Sequence, residues 1–275
     1  MLGNPVAGEK SWLVAAALGL LLGSAGAALT ERGGTPSELP FAWEEGSASP
    51  GAALALEETE RVPARDGGVL LVKYKLKATG FAPDASLAFW VKRDRGYLQF
   101  PAKLGADGVV EIKREGDSVS LLTIAVHRRD EGPVLVRNRE GRPISLGLAG
   151  FAEGIPLSVA VATEDGKVHA QTKALPLPNQ AAGEGGCSAA AEIQTPTGLV
   201  FLISLKGFQP GEDVQVESRY RKEVMSKVHK ASDTGAVSFP VLFGDRDSGK
   251  ATISAKGGSC SVKLEYKIGR DAFPR

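Results

Sequence analysis

The sequence predicts an all-β fold, two β-sandwich domains behind an N-terminal apolar segment. Three observations predict it. Apolar and polar residues alternate with a period of two in run after run of the 275-residue chain, the pattern of strands with one face buried. Glycine, proline and aspartate punctuate those runs. One turn phrase also recurs, GFAPDASLAF at 80–89 and GFQPGEDVQV at 207–216.

The first element is uncharged from 11 to 30, with an apolar core WLVAAALGLLL at 12–22 behind Lys10. Ala25-Gly26-Ala27 supplies the small-x-small pattern that a signal peptidase reads. A spanning helix needs about 20 predominantly apolar residues, a length reached here only by counting glycines and alanines. Residues 1–30 are expected to be a signal peptide, with an uncleaved N-terminal anchor as the alternative. Export follows: the chain is expected to be secreted or periplasmic/cell-envelope, or membrane-anchored by residues 11–30. Membrane contact is expected only through that segment. No cysteine lies near the cleavage zone to carry a lipid.

Residues 31–60 are rich in glutamate and hold Pro36, Pro40 and Pro50, so they read as an acidic flexible linker. Such a block usually only solubilises. The alternative is that it folds back on the basic domain and competes with an anionic partner.

The first domain is expected at 61–178. In VLLVKYKLKAT, Val72, Tyr74 and Leu76 face inward while Lys73, Lys75 and Lys77 point out; Leu157, Val159 and Val161 form another inward row. The segment PLSVAVATEDGKVHAQTKALP reads as a hairpin with Asp165-Gly166 as its two-residue turn. It follows a weaker third copy of the phrase, GFAEGIPLSV at 150–159. Leu175-Pro176-Leu177-Pro178 and the following AAGEGG mark the boundary to a second domain at 179–275. There CSVKLEYKI aligns Cys260, Val262, Leu264, Tyr266 and Ile268 on one face, and CSAAAEI aligns Cys187, Ala189, Ala191 and Ile193. Each domain is long enough to hold its own core.

In the repeated phrase, glycine and proline break the strand and Phe plugs the core. It resembles the Gly-Phe-x-Pro-Gly-Glu turn that joins the second and third strands of Ig-like and fibronectin-III-like sandwiches in bacterial exported proteins. The resemblance is good over 187–268, looser over 61–178 and absent over 31–60. It implies a fold shared by spacers, adhesins and enzyme accessory domains rather than one activity. The chain departs from it at Ala251, where many such modules place an aromatic residue, and around 115–145, where some thirty extra residues read as a loop. In such sandwiches the first and last strands can run parallel and adjacent, start to start. A Cys187–Cys260 disulfide is therefore expected, closing a 73-residue loop with the two Cα atoms within about 7 Å. An exported chain with an even cysteine count supports it; two unpaired buried thiols are the alternative.

Catalytic chemistry finds little footing. The string 244–250, GDRDSGK, matches a phosphate-binding loop, yet Ala251 stands where Mg²⁺ needs Ser or Thr, and ATISA alternates as a strand where a helix is required. Asp245, Asp247 and Gly249 supply only part of a calcium loop. His127, His169 and His229 lie on polar strand faces with no metal-ligand spacing. No G-x-S-x-G elbow is present, and the carboxylates of the turns lack the aromatic surround of a glycosidase cleft. The chain is expected to be no enzyme, without cofactor or metal.

Binding has a better candidate. If Trp90 points away from the core, it joins Lys92, Arg93, Arg95 and Tyr97 in a basic-aromatic patch. Arg128 and Arg129, with Arg137, Arg139 and Arg142 of the extra loop, extend it. Such a patch suits phosphate- or carboxylate-bearing polymers; the alternative is scattered solubilising charge interleaved with Asp94, Asp130 and Glu131. The expected function is an exported, non-enzymatic structural or interaction protein of the cell envelope or exterior. Its partner would be a protein or envelope polymer that the sequence does not name, with no nucleic acid. The alternatives are a binding module for anionic polysaccharide, or an accessory domain of a secreted enzyme.

Overall fold

The structure, a computed structural model, describes residues 39–273 apart from 45, 64–69, 84, 94–95, 127–131, 245–246 and 259. The signal or anchor expected at 1–30 lies outside them. No α-helix occurs among the described residues, and four sheets enclose two hydrophobic cores. In the first sandwich one sheet orders β1 (Ala53–Val62), β2 (Leu70–Thr79), β7 (Leu121–Val126), β9 (Pro143–Phe151) and β8 (Val134–Arg137). The facing sheet orders β11 (His169–Ala174), β10 (Leu157–Thr163), β3 (Leu87–Arg93), β4 (Gly96–Leu104), β5 (Val110–Arg114) and β6 (Asp117–Val119). The second sandwich packs β12 (Asn179–Ala182), β13 (Ser188–Ile193), β14 (Val200–Lys206) and β17 (Val237–Leu242) on β16 (Glu223–Lys230), β15 (Asp213–Tyr220), β18 (Gly249–Lys256) and β19 (Ser261–Ile268). A 3-10 turn, Gly269–Ala272, follows.

The inward rows are those the alternation predicts. Val72, Tyr74 and Leu76 meet Leu157, Val159 and Val161 in one core, and Ala189, Ala191 and Ile193 meet Val262, Leu264, Tyr266 and Ile268 in the other. The repeated phrase has one structural job in both sandwiches. It carries the chain from one sheet to the other, β2 to β3 and β14 to β15, while Phe81 and Phe208 plug the ends of the cores. Gly80 and Gly207 take φ of 78° and 91°. A Cβ on either would strike the backbone of Gly51 or Gly186, so the positions call for glycine on two counts.

Four expectations need correction. Residues 53–60, assigned to the acidic linker, belong to β1, Ala53–Val62. Its glutamates make cross-strand pairs with the lysines of β2, Lys73 with Glu60 at 2.6 Å and Lys77 with Glu57 at 2.9 Å; opposite charges on one sheet face stabilise a strand pair. The extra residues near 115–145 form β6 to β9 rather than a loop, because the apolar run LLTIAV is a buried strand between β2 and β9, which it pairs in parallel. The β10–β11 connection spans the five residues 164–168, not a two-residue turn. Thr163 closes it by donating its N–H to the Val168 carbonyl, and Asp165 accepts from Thr163 Oγ1 and Lys167 N. The fourth correction concerns the strands that carry the cysteines. Cys187 and Cys260 are joined, Cα to Cα 5.8 Å, but β13 and β19 belong to different sheets and do not pair. The disulfide ties one sheet to the other, beside a bridge in which Glu184 and Ser261 exchange N–H···O bonds. The strand β12 takes the pairing edge of β13, so the sheets are joined here by the sulfurs and by the Glu184–Ser261 bridge.

Candidate functional site

Strand parity decides what each side of β3 presents. Phe89 is fully buried in the sandwich core, and its neighbour Trp90 rises from the outer face. Register places Trp90 opposite Ala160 and Gln99, Ala160 opposite Gln171, and Lys92 opposite Tyr97. One row thus crosses the sheet: Gln171, Ala160, Trp90, Gln99. Because Ala88, Ala160 and Ala162 are small, the floor beside Trp90 is shallow and flat, a shelf walled by an indole and an amide.

That shelf is not open to solvent. Residues 39–44 and 46–49 cross it as a strap, laying Leu39, Phe41 and Trp43 on Ala88, Trp90, Ala160, Ala162 and Tyr97. Phe41 sits 6.1 Å from Trp90 edge-on and 5.1 Å from His169 in a stack, and Trp43 lies 5.0 Å from Tyr97. The strap is sewn to the sheet at its C-terminal end. Ala48 bridges Ala170, Ser49 N donates to the His169 carbonyl at 2.8 Å, and Gln171 N donates to the Ser47 carbonyl at 3.0 Å. Gln171 Nε2 also donates to the Ala42 carbonyl at 2.8 Å and to Ser47 Oγ at 2.9 Å.

The patch expected from the sequence is therefore changed. Trp90 does point away from the core, but it is 7 % exposed, since an aromatic on a flat face gains by taking apolar cover. Arg93 is engaged on the protein itself: Nη2 donates to the Ala149 carbonyl at 2.7 Å and the guanidinium lies 5.2 Å from the Phe151 ring. Lys92 is exposed and Tyr97 half-buried. Arg95, Arg128 and Arg129 lie outside the described residues. Arg137 bonds Asp117 at 2.9 Å and the Gly141 carbonyl, and Arg142 lies near Glu140. The fold-back weighed for the acidic block does occur over the described residues 39–44 and 46–49, where Phe41 and Trp43 pack on the sheet. Sequence reasoning missed Gln171 and the strap; the signal was Phe41 and Trp43, two large aromatics inside a supposed tether.

Other sites weighed from sequence stay apart. Among the described residues no group of His, Cys, Asp and Glu is arranged to hold a metal. His169 stacks on Phe41, and His229 stacks on Phe239 at 4.6 Å; burial, then the Lys227 charge, lowers the His229 pKa. The string 244–250 runs into the strand β18, and Asp247 accepts from Gly244 N at 2.7 Å. Its 245–246 lie outside the described residues.

A second surface stands out on the other sandwich. β16 is the last strand of its sheet and pairs only β15 among the described residues. It is exposed on both faces, with Val224 48 %, Met225 65 % and Val228 60 % exposed, and Leu242 of the neighbouring edge β17 is 68 % exposed. An edge that is long, free of proline or bulge and carries exposed apolar side chains is a template for another strand, here with Lys227 and Lys230 on the same strand.

No family model matches the chain, and no curated protein matches it. Among solved structures it is similar to the crystal structure of a tetra-tandem repeat in the extending region of a large adhesion protein, at 13 % identity and a TM-score of 0.26. The match covers 79 % of this chain and 49 % of the other, so the chain spans about half the length of that structure.

Proposed function

We propose that the chain is an exported, non-enzymatic interaction protein of the cell envelope or exterior, which joins copies of itself through the open edge of β16. The observation that carries the reading is that edge: an eight-residue strand with unpaired backbone groups and exposed apolar side chains. Export is supported by the uncharged N-terminal segment and by the disulfide, which persists in oxidising compartments.

A second copy fits the edge in one favourable antiparallel register, centred on Ser226. Paired edge strands related by a two-fold axis keep the same faces up. Val224 then meets the partner copy's Val228 twice on one face. On the other, Glu223 faces His229 with Lys227 on the diagonal, so opposite charges approach. Moving the centre to Lys227 sets like charges opposite; moving it to Met225 shortens the overlap. The test is Ser226→Cys in the full chain under mild oxidation. The expected result is a covalent dimer from Ser226→Cys and far less from Met225→Cys, whose partner across the axis is Lys227. Equal crosslinking of both, or a protein that sediments as a monomer at all concentrations, overturns the reading.

A further inference from the structure

The strap does not complete the shelf it covers. Trp90 Nε1 and Gln171 Oε1, on side chains only 7 % and 6 % exposed, find no hydrogen-bond partner among the described residues, and neither does Trp43 Nε1 on the strap. Buried polar groups are ordinarily paired, and here a donor and an acceptor stand unpaired on residues whose backbones are two strand spacings apart, about 10 Å, with Ala160 between them. What fills the gap is the Phe41 ring, which has no polar group to offer either.

We propose that this shelf is a carbohydrate site, selective for a carboxylate-bearing hexose polymer, and that residues 39–44 are its built-in competitor. Phe41 and Trp43 mark two ring positions with centroids 6.0 Å apart, a spacing of the order of adjacent sugar rings. A pyranose placed where Phe41 lies sets its apolar face against the His169 ring, on which Phe41 stacks, and its hydroxyl-bearing edge toward the Trp90 indole. Its hydroxyls accept from Trp90 Nε1–H and donate to Gln171 Oε1, which a phenyl ring cannot do. The second ring position lies over Tyr97, directly across from the exposed Lys92, and a ring carboxylate there meets the ammonium. Binding and strap closure exclude one another because they use the same faces of the same side chains.

The strap is built to lift from one end. Among the described residues its backbone hydrogen bonds to β11 lie at 47–49, while 39–44 are held by side-chain packing, by the bond from Gln171 Nε2 to the Ala42 carbonyl and by the close approach of Pro40 to Gly166. Between the two stretches stands Gly46, at φ 76° with nothing within 4 Å of a Cβ there, a pivot that a larger residue would stiffen.

The test uses hexagalacturonate as the carboxylated probe and maltohexaose as its neutral counterpart, titrated calorimetrically into the full chain. Releasing the strap with Phe41→Ser is expected to raise affinity for hexagalacturonate at least tenfold, and adding Trp90→Ala to Phe41→Ser is expected to abolish it. Binding is expected to weaken as salt rises. Amide exchange supplies a readout on the unmodified chain: saturating hexagalacturonate should speed exchange over 40–46 and slow it at 169–171. The site is overturned if exchange at both stretches is unmoved, or if Phe41→Ser opens the strap without gaining affinity. It is overturned equally if binding survives Trp90→Ala. Equal affinity for maltohexaose overturns the carboxylate preference. None of these outcomes depends on β16, so the site and the self-association fail or stand separately.

Discussion

The two sandwiches share a turn phrase and a strand pattern but treat their surplus apolar surface in opposite ways. The first covers it: the outer face carrying Trp90 lies beneath a strap drawn from its own N-terminal side. The second leaves it open along β16 and secures its sheets by a covalent bond, Cys187–Cys260. A sheet face can be sealed by any chain that brings an aromatic ring to it. A sheet edge exposes backbone groups that only another strand satisfies. A covered face and an uncovered edge therefore imply different traffic, a displaceable occupant on one and strand addition on the other.

The largest effect that would break this comparison is removal of the clamp. Replacing both Cys187 and Cys260 by Ser should lower the stability of the second sandwich by about 4 kcal/mol, the chain-entropy value for a loop of this length. Trp43 and Trp90 both belong to the first sandwich, so tryptophan fluorescence should report an unchanged transition while far-ultraviolet circular dichroism shows an earlier one. A joint shift of both signals would show that the clamp secures the first sandwich as well.

Next in size is the strap. Phe41→Ser takes a buried ring off the shelf and should cost about 2 kcal/mol by the transfer value for a Phe side chain. It should also move tryptophan emission to the red as Trp90 meets water. Unchanged emission would mean that Leu39 and Trp43 seal the face alone.

The strap also shows where the sequence was legible and where it was not. Period two located the inward rows of β2, β10, β13 and β19, because burial on one face leaves a local signature in every strand. The phrase around Gly80 and Gly207 was legible because a positive φ and a crowded backbone admit little else. β1 was hidden by its charge. ALALEETERV looks like a solvated tether until its glutamates are set against Lys73 and Lys77, and that complementarity is a property of two segments together. The shelf was half legible: parity put Trp90 outside, but no local pattern says that Phe41, far away in the chain, comes to lie on it. Arg93 was misjudged for a similar reason, since its carbonyl partner at Ala149 and its ring at Phe151 are supplied by β9.

The cores differ in a way that alkaline titration reads. Burial holds the Tyr266 hydroxyl neutral far above its ordinary range, and burial followed by the Glu58 charge pushes Tyr74 up to about 12. Both tyrosines are neutral in the folded chain where the unfolded chain ionises, so their contribution is intact below about pH 10 and lost as pH climbs toward 12 and beyond. Tyr266 OH also lacks a hydrogen-bond partner among the described residues. Tyr266→Phe should therefore stabilise the second sandwich at neutral pH by about 1 kcal/mol and move its alkaline unfolding to higher pH. Tyr74→Phe should move only the first. If Tyr266→Phe destabilises instead, the hydroxyl has a partner such as a buried water.

The smallest expected change in stability accompanies the sharpest change in association. Val228 is 60 % exposed on an edge strand, so Val228→Lys should alter stability by no more than about 0.5 kcal/mol. Lysine is also a residue that keeps natural edge strands from pairing. In the register centred on Ser226, the substitution sets a charge against Val224 of the second copy at two symmetric places, so dimerisation seen by sedimentation should disappear. Val241→Lys makes the contrast, because Val241 is 6 % exposed in the core of the same sandwich; it should unfold the domain rather than separate copies. If Val228→Lys leaves sedimentation unchanged, the copies meet elsewhere, and β16 is an edge kept apart by Lys222, Lys227 and Lys230.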